Sequence, residues 1–239
     1  MQTFDGFSYI YGAVRTPIVR FNGVFAGIPA TDLAACAIRE VLARSSIPAD
    51  KIDEVILGNV LPGGEGQAPA RQAAIKGGLG YRTGALTVNR VCGSGLQAVM
   101  LADDAIRLQS AEFVIAGGME SMSRAPILQM GARQGFKMES WETIDSIVHD
   151  GLWDSFLDCH MGEIAEKLAR EGNYSRKAQD DYALMSYNRA RTAEDTGVFA
   201  EEIVAVPVES QGEKTRVEKD EQPYARDLTK LTRLLPVFV

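Results

Sequence analysis

Cys92 stands in the run Leu86-Thr87-Val88-Asn89-Arg90-Val91-Cys92-Gly93-Ser94-Gly95, flanked on its C-terminal side by two glycines. Apolar residues precede it with strand-like composition, and a helical period follows it. That pattern puts a sulfur at a strand-to-helix junction, where glycines permit a sharp turn. The N-terminus of the following helix aims unpaired N–H groups and positive dipole potential at such a sulfur. Both effects favour thiolate over thiol, and the thiolate is the nucleophile. The layout parallels the strained elbow that presents a serine in hydrolases, with Cys in its place. A small buried residue in a glycine-rich turn accounts for the same pattern, since free Cys is often buried.

His149 and His160 are the only two histidines. Either could pair with Cys92 as a general base, and Cys92 with His160 would make the chain a Cys–His hydrolase. His149 and His160 also lie among Asp150, Asp154, Asp158 and Cys159. This cluster lacks the repeated ligand spacing of zinc motifs, and the adjacent Cys159 and His160 point different ways, so no metal site is expected. Gly64-Glu65-Gly66-Gln67 lacks the ending of a phosphate loop, and Glu65 would repel phosphate. Gly117-Gly118 is too short for a dinucleotide fingerprint but permits close backbone approach beside Cys92.

The elements that must hold these residues alternate. Ser8–Val14, Glu54–Leu57, Thr87–Val91 and Phe113–Ala116 read as strands. Helices are expected from a Thr31 N-cap to about Arg44, over Ala68–Lys76, and from Ser94 to Leu108. Strand and helix in alternation predict a parallel α/β sheet, and short apolar strands without alternation suit a sheet covered on both faces. Residues 119–160 show few regular periods. Helices follow over Met161–Glu171 and from Arg176, capped by Ser175, to Glu194. Glu201–Val208 reads as a strand marked as an edge by Pro207, and residues 209–230 as a solvated loop. The organisation expected is a core over 1–120 and a mostly helical segment over 121–239.

Composition narrows the classes. The 239 residues are 46% hydrophobic and 24% charged, a globular balance. The net charge of −7 gives no bulk electrostatic reason to bind nucleic acid or an anionic membrane. No stretch approaches the ~18 apolar residues of a membrane span, and no secretory h-region stands near the start. The three Cys residues have no CxxC spacing, so a reduced, cytoplasmic protein is expected.

At VNRVCGSGLQAV followed by AGGMESMSRAP, the sequence resembles the active-site region of the thiolases, the acetyl-CoA acetyltransferases and 3-ketoacyl-CoA thiolases. RTPIVRFNGVFAGIPATDL resembles the family's opening. GEGQAPARQAAIKGGL resembles its dimer-contact segment. HMGEIAEKLAR, YSRKAQDDYALMSYNRA and GVFAEEIVAV resemble the loop domain that receives coenzyme A, and TRLLPVF the stretch leading back to the first domain. The resemblance implies an N-terminal α/β half with a parallel-rich mixed sheet and an inserted, mostly helical loop domain. It implies Cys92 as the acyl-accepting nucleophile, and His160, Met161 and Leu152 as contacts for the pantetheine arm. This favours His160 as a ligand contact over His160 as a base.

The same resemblance implies acyl transfer between a 3-ketoacyl-CoA such as acetoacetyl-CoA and CoA. Coenzyme A and acyl-CoA would be substrates, with no permanently bound cofactor. Gly66–Leu79 and Ser121–Met138 resemble dimer and tetramer contacts, which implies a homo-oligomer. The family's activating His, in a GHP motif, and its acid/base Cys, in a CxGGG-type motif, have no counterpart in these residues. The chain is therefore expected to be an N-terminal portion, short of the final strand of its half and of the whole second half. It would have little or no turnover alone, or would act as a CoA-binding subunit with a complementary C-terminal chain. Inside the matched stretches, Cys159 replaces an aromatic or small residue and Glu163 a common Thr.

Overall fold

Val55, Ile56 and Leu57 form an unbroken apolar run, and all three are buried. A strand buried on both faces has no use for alternation. In the computed structural model, which describes residues 6–135, 138, 140–210 and 212–238, this run is the centre of a sheet. The first half runs α1 (Ala30–Ser45), β1 (Glu54–Gly58), α2 (Pro69–Lys76), β2 (Gly84–Val88), α3 (Ser94–Arg107) and β3 (Val114–Gly118). The strands are all parallel, in the order β2-β1-β3. Val55 and Leu57 pack against Ala30, Ala34 and Ile38 of α1 and Ala70, Ala73 and Ala74 of α2. Alanine on both helices lets them lie close to the sheet and to each other. The pleat turns Gly58 to the opposite face, toward α3.

The expected parallel α/β architecture is the observed one, and the boundaries shift for identifiable reasons. β2 starts at Gly84, not Thr87, because its extent is set by register with β1, from Glu54↔Gly84 to Gly58↔Val88. Residues 8–14 form no strand. Ile10 and Tyr11 are 84% and 71% exposed, and only Arg15 pairs, in a single parallel bridge with Ile203. β propensity without a ladder partner does not make a strand. Thr31 is not the cap of α1 either. Pro29 holds that position, while Thr31 is buried and its hydroxyl accepts a bond from Lys76 Nζ at 3.1 Å.

The second half is built from short pairs and two longer helices. β4 (Ile127–Leu128) pairs antiparallel with β5 (Ile144–Asp145), and a π-helical turn covers Ile147–Leu152. β6 (Trp153–Asp154) pairs with β7 (Cys159–His160), leading into α4 (Met161–Glu171) and α5 (Arg176–Asp195). Ser175 caps α5 as expected, its hydroxyl accepting from Ala178 N. β8 (Val206–Ser210) and β9 (Glu213–Val217) form a hairpin, so part of the stretch expected as a loop is strand. Val204, Val206 and Val208 pack with Phe25 and Cys36 in a second apolar cluster.

Arg15 ties the halves together. Its N–H donates to Glu202 O and its C=O accepts from Val204 N, both at 2.8 Å. Its guanidinium forks onto Asp220 at 2.7 and 2.8 Å, donates to Glu202 at 2.6 Å and lies over the Phe199 ring. Burial alone would raise the Asp220 carboxyl, but the bonds from Arg15 and from Ile18 N–H outweigh it and hold it below the usual range. A folded pKa below the unfolded value of about 3.9 gives stability that is present above that value. It is lost as pH falls through the folded pKa. Asp220→Asn, which leaves Glu202 as the one carboxylate on Arg15, is expected to cost about 1–3 kcal/mol at pH 7. In thermal melts the gap between wild type and variant should narrow as the buffer is taken below about pH 4.

Candidate active site

The segment Asn89–Gly93 joins β2 to α3 at the carboxyl end of the sheet. In it Val91 has a φ of +50°, a left-handed conformation that costs a β-branched residue about 1–3 kcal/mol. Local hydrogen bonds hold it there. Asn89 Oδ1 accepts from Val91 N at 2.9 Å, and Val91 O accepts from Ser94 N at 3.0 Å and from the Ser94 hydroxyl at 2.6 Å. That hydroxyl also accepts from Arg90 N at 2.8 Å, and Gly93 N donates to Arg90 O at 3.1 Å. Ser94 is buried, so this small knot is sealed from water on one side. The next residue on the strained backbone is Cys92, and its side chain is exposed. Gly93 is the N-cap of α3, which puts Cys92 immediately before the helix N-terminus.

What lets the elbow sit so low is Gly58. A Cβ there would lie 2.6 Å from the carbonyl carbon and Cβ of Ser94 and 2.7 Å from Gly95 N. A Cβ at Gly118 would reach Gly95 Cα at 3.6 Å. The ends of β1 and β3 therefore meet the first turn of α3 backbone to backbone. β1 lies between β2 and β3: the chain passes from β1 through α2 to β2 on one side, then through α3 to β3 on the other. The crevice at the carboxyl ends of such strands is where open α/β sheets place their ligands.

The other two thiols differ in environment. Burial pushes the Cys36 thiol up and packs it in the second apolar cluster. Partial burial, followed by the carboxylates of Glu163, Asp154 and Asp158, pushes the Cys159 thiol up.

His160 closes β7 and caps α4. Its Nδ1 accepts from Gly162 N at 2.9 Å, while Glu163 accepts from His160 N at 3.4 Å, a reciprocal capping box. An accepting Nδ1 puts the proton of the neutral ring on Nε2. The imidazole stacks on Phe238, with centroids 4.7 Å apart, and Gly162 leaves the room that ring needs. Trp153 pairs with His160. Leu152 ends the π-helical turn just before Trp153, and Met161 begins α4 just after His160. Gly151, beside Leu152, approaches the Leu61 side chain, placing the turn near the segment leaving β1.

Among the described residues no hydrogen bond or ion pair joins Cys92 to either histidine. His149 Nδ1 meets its neighbour Asp150 at 2.6 Å. Asp154 accepts from Phe156 N and Leu157 N, and Asp158 accepts from the Trp153 indole. Each carboxylate serves its own turn, and among the described residues no three His, Cys, Asp or Glu side chains converge in a metal-binding group.

Sequence reasoning passed over Glu120. Its carboxylate accepts from Val60 N at 2.7 Å, Leu61 N at 3.2 Å and Asn59 Nδ2 at 3.0 Å. Burial pushes this carboxyl above the usual range, and those bonds pull it part of the way back. Burial also raises Glu65, with the neighbouring Glu120 charge adding to it. The available signal was positional: polar Asn59 and Glu120 stand one and two residues beyond apolar strands at the carboxyl end of the sheet.

The family model described as the thiolase N-terminal domain matches residues 8–239. A probable acetyl-CoA acetyltransferase of Escherichia coli K12 is 50% identical over 96% of this chain and 58% of its own length. An acetyl-CoA acetyltransferase of Pseudomonas aeruginosa is 46% identical over 96% of this chain and 59% of its own. A probable acetyl-CoA acyltransferase of Staphylococcus epidermidis is 48% identical over 95% and 58%. The chain thus spans a little under three-fifths of the length of these relatives.

Two outcomes follow from the geometry. Iodoacetamide at pH 8 should alkylate Cys92 at least roughly tenfold faster than Cys36 or Cys159, read by peptide mass mapping. Gly58→Ala should cost about 1–3 kcal/mol in denaturant melts, because the new methyl meets backbone that has little room to move.

Proposed function

The chain belongs to the thiolase family, and on that footing we propose that Cys92 accepts an acyl group from an acyl-CoA and passes it to a second acceptor. The observation that carries this reading is the exposed thiol on a pinned, strained elbow at the N-terminus of α3. In the degradative direction the Cys92 thiolate adds to the C3 carbonyl of a 3-ketoacyl-CoA such as acetoacetyl-CoA. The C2–C3 bond breaks, and its electron pair leaves on acetyl-CoA as an enolate that takes up a proton. The acyl group stays on sulfur as a thioester. The thiolate of CoA then attacks that thioester and returns Cys92 as thiolate. In the synthetic direction acetyl-CoA acylates Cys92, and the α-carbanion of a second acetyl-CoA displaces the sulfur in a Claisen condensation.

Leu152, His160 and Met161 form the contact group for the pantetheine arm in this reading. His160 supports it by using Nδ1 for the α4 cap, which leaves Nε2–H as a donor for a ligand. The same use argues against His160 as the base for Cys92. The proton that the carbon–carbon step moves needs a positioned partner. The GHP and CxGGG-type motifs that the resemblance assigns to this work do not occur in the 239 residues.

The purified chain is therefore expected to take one acetyl group from acetyl-CoA onto Cys92, seen by intact mass, and to lose that adduct in Cys92→Ala. Alone it should show little or no turnover in a coupled acetoacetyl-CoA cleavage assay. Activity should appear when it is mixed with a chain carrying the two further motifs. Turnover at ordinary enzyme rates by this chain alone would sink the expectation of inactivity, and failure to label Cys92 would sink its role as acceptor.

A further inference from the structure

Glu120 lies two residues beyond β3, Val60 two beyond β1 and Asn89 one beyond β2, so the three cross the whole carboxyl end of the sheet. The Val60–Leu61 peptide unit connects them. Its N–H, on Leu61, donates to Glu120 Oε1 at 3.2 Å, and its C=O, on Val60, accepts from Asn89 Nδ2 at 3.3 Å. The peptide is planar and trans, so its two polar ends point in opposite directions, one held by each strand end. Val60 N donates to Glu120 Oε2 at 2.7 Å, which removes the remaining freedom of the segment.

Asn89 is fixed from the same side. With its Nδ2 committed to Val60 O, its Oδ1 faces Val91 N at 2.9 Å, the bond that holds the left-handed residue before Cys92. A carboxylate at one edge of the sheet thereby sets the orientation of a side-chain amide at the other. Nothing in the acyl-transfer chemistry described above uses this carboxylate directly. Its burial, and its three donors from Asn59, Val60 and Leu61, are costs and compensations that a solvent-facing Glu would not carry.

We infer that Glu120 is a positioning residue for Cys92, acting through the Val60–Leu61 peptide and Asn89. This rests on Cys92 as the acyl acceptor. Removing the carboxylate releases the peptide, frees the Asn89 amide to turn over and relaxes Val91. The sulfur then leaves its place before α3, while His160 and Met161, on β7 and α4, stay where they are.

The test is the rate of acyl-Cys92 formation in the full chain as a function of acetyl-CoA concentration, by rapid quench and intact mass. Glu120→Ala and Asn89→Leu should each lower the maximal acylation rate roughly ten- to hundredfold, since small misplacement of a nucleophile is that costly. The half-saturating acetyl-CoA concentration should stay within about twofold. The double variant should be no slower than the slower single variant, because both act along one line. Glu120→Gln keeps a carbonyl acceptor and should restore part of the rate. It also serves as the folded comparison if Glu120→Ala melts too low to assay. Wild-type maximal rate in the Glu120 variants, or multiplicative losses in the double variant, would overturn the inference while leaving Cys92 as the acceptor. Absence of acylation in wild type would overturn both.

Discussion

The distance between the end of β1 and the first turn of α3 is the constraint on which the site depends. At Gly58 there is no space for even a methyl group, and the helix start rests on the strand backbone. That contact fixes where the N-terminus of α3 stands, and so where a residue just before it must stand. It also explains why the elbow carries strain. A chain leaving β2 at Val88 and entering a helix pressed against β1 must reverse within Asn89–Gly93, and Val91 takes the left-handed conformation that the reversal requires. The cost of about 1–3 kcal/mol is offset by bonds to Asn89 and Ser94 that lie within the same turn.

Polar groups in this fold act at two ranges. Near the elbow, the Ser94 hydroxyl accepts from Arg90 and donates to Val91, closing a knot of a few residues. Farther out, Glu120 and Arg15 join segments distant in sequence. Glu120 gathers the chain leaving β1, and Arg15 binds Asp220 and Glu202 across the molecule. Both long-range groups are partly buried and satisfied by several partners, the condition under which a buried charge stabilises a particular arrangement. The apolar clusters supply the bulk of the burial, one between α1, α2 and β1 and one between α1 and the β8–β9 hairpin. Neither cluster by itself orients a thiol. The polar bonds do that.

Much of this was legible in the residues. The apolar run Val55-Ile56-Leu57 is a buried central strand because no other environment suits three consecutive large aliphatics in so short a segment. α2, α3, α4 and α5 lie close to where periodicity and Ser175 put them. The turn at Cys92 followed from glycine placement. Less was legible where pairing decides. β2 lies three residues N-terminal to its best local composition because β1 sets its register, and Ser8–Val14 has strand composition without a ladder. The hairpin strand Glu213–Val217 is charged, with little apolar content to announce it, and exists by pairing with β8. Glu120 could be noticed as a polar residue after a strand, but its three donors come from residues about sixty positions away.

The sequence by itself determined the parallel α/β class, the position of Cys92 between strand and helix, and the resemblance that the family match bears out. These depend on short-range features: hydrophobic period, glycine at a turn and residue order within a motif. Only the tertiary structure decided that Cys92 is exposed while Cys36 is buried, and that His160 spends a ring nitrogen on a helix cap. It also decided that Val91 is held left-handed beneath a network reaching to Glu120. Burial and hydrogen-bond partners are relations between distant segments, and they come into being when strands that do not neighbour in sequence lie side by side.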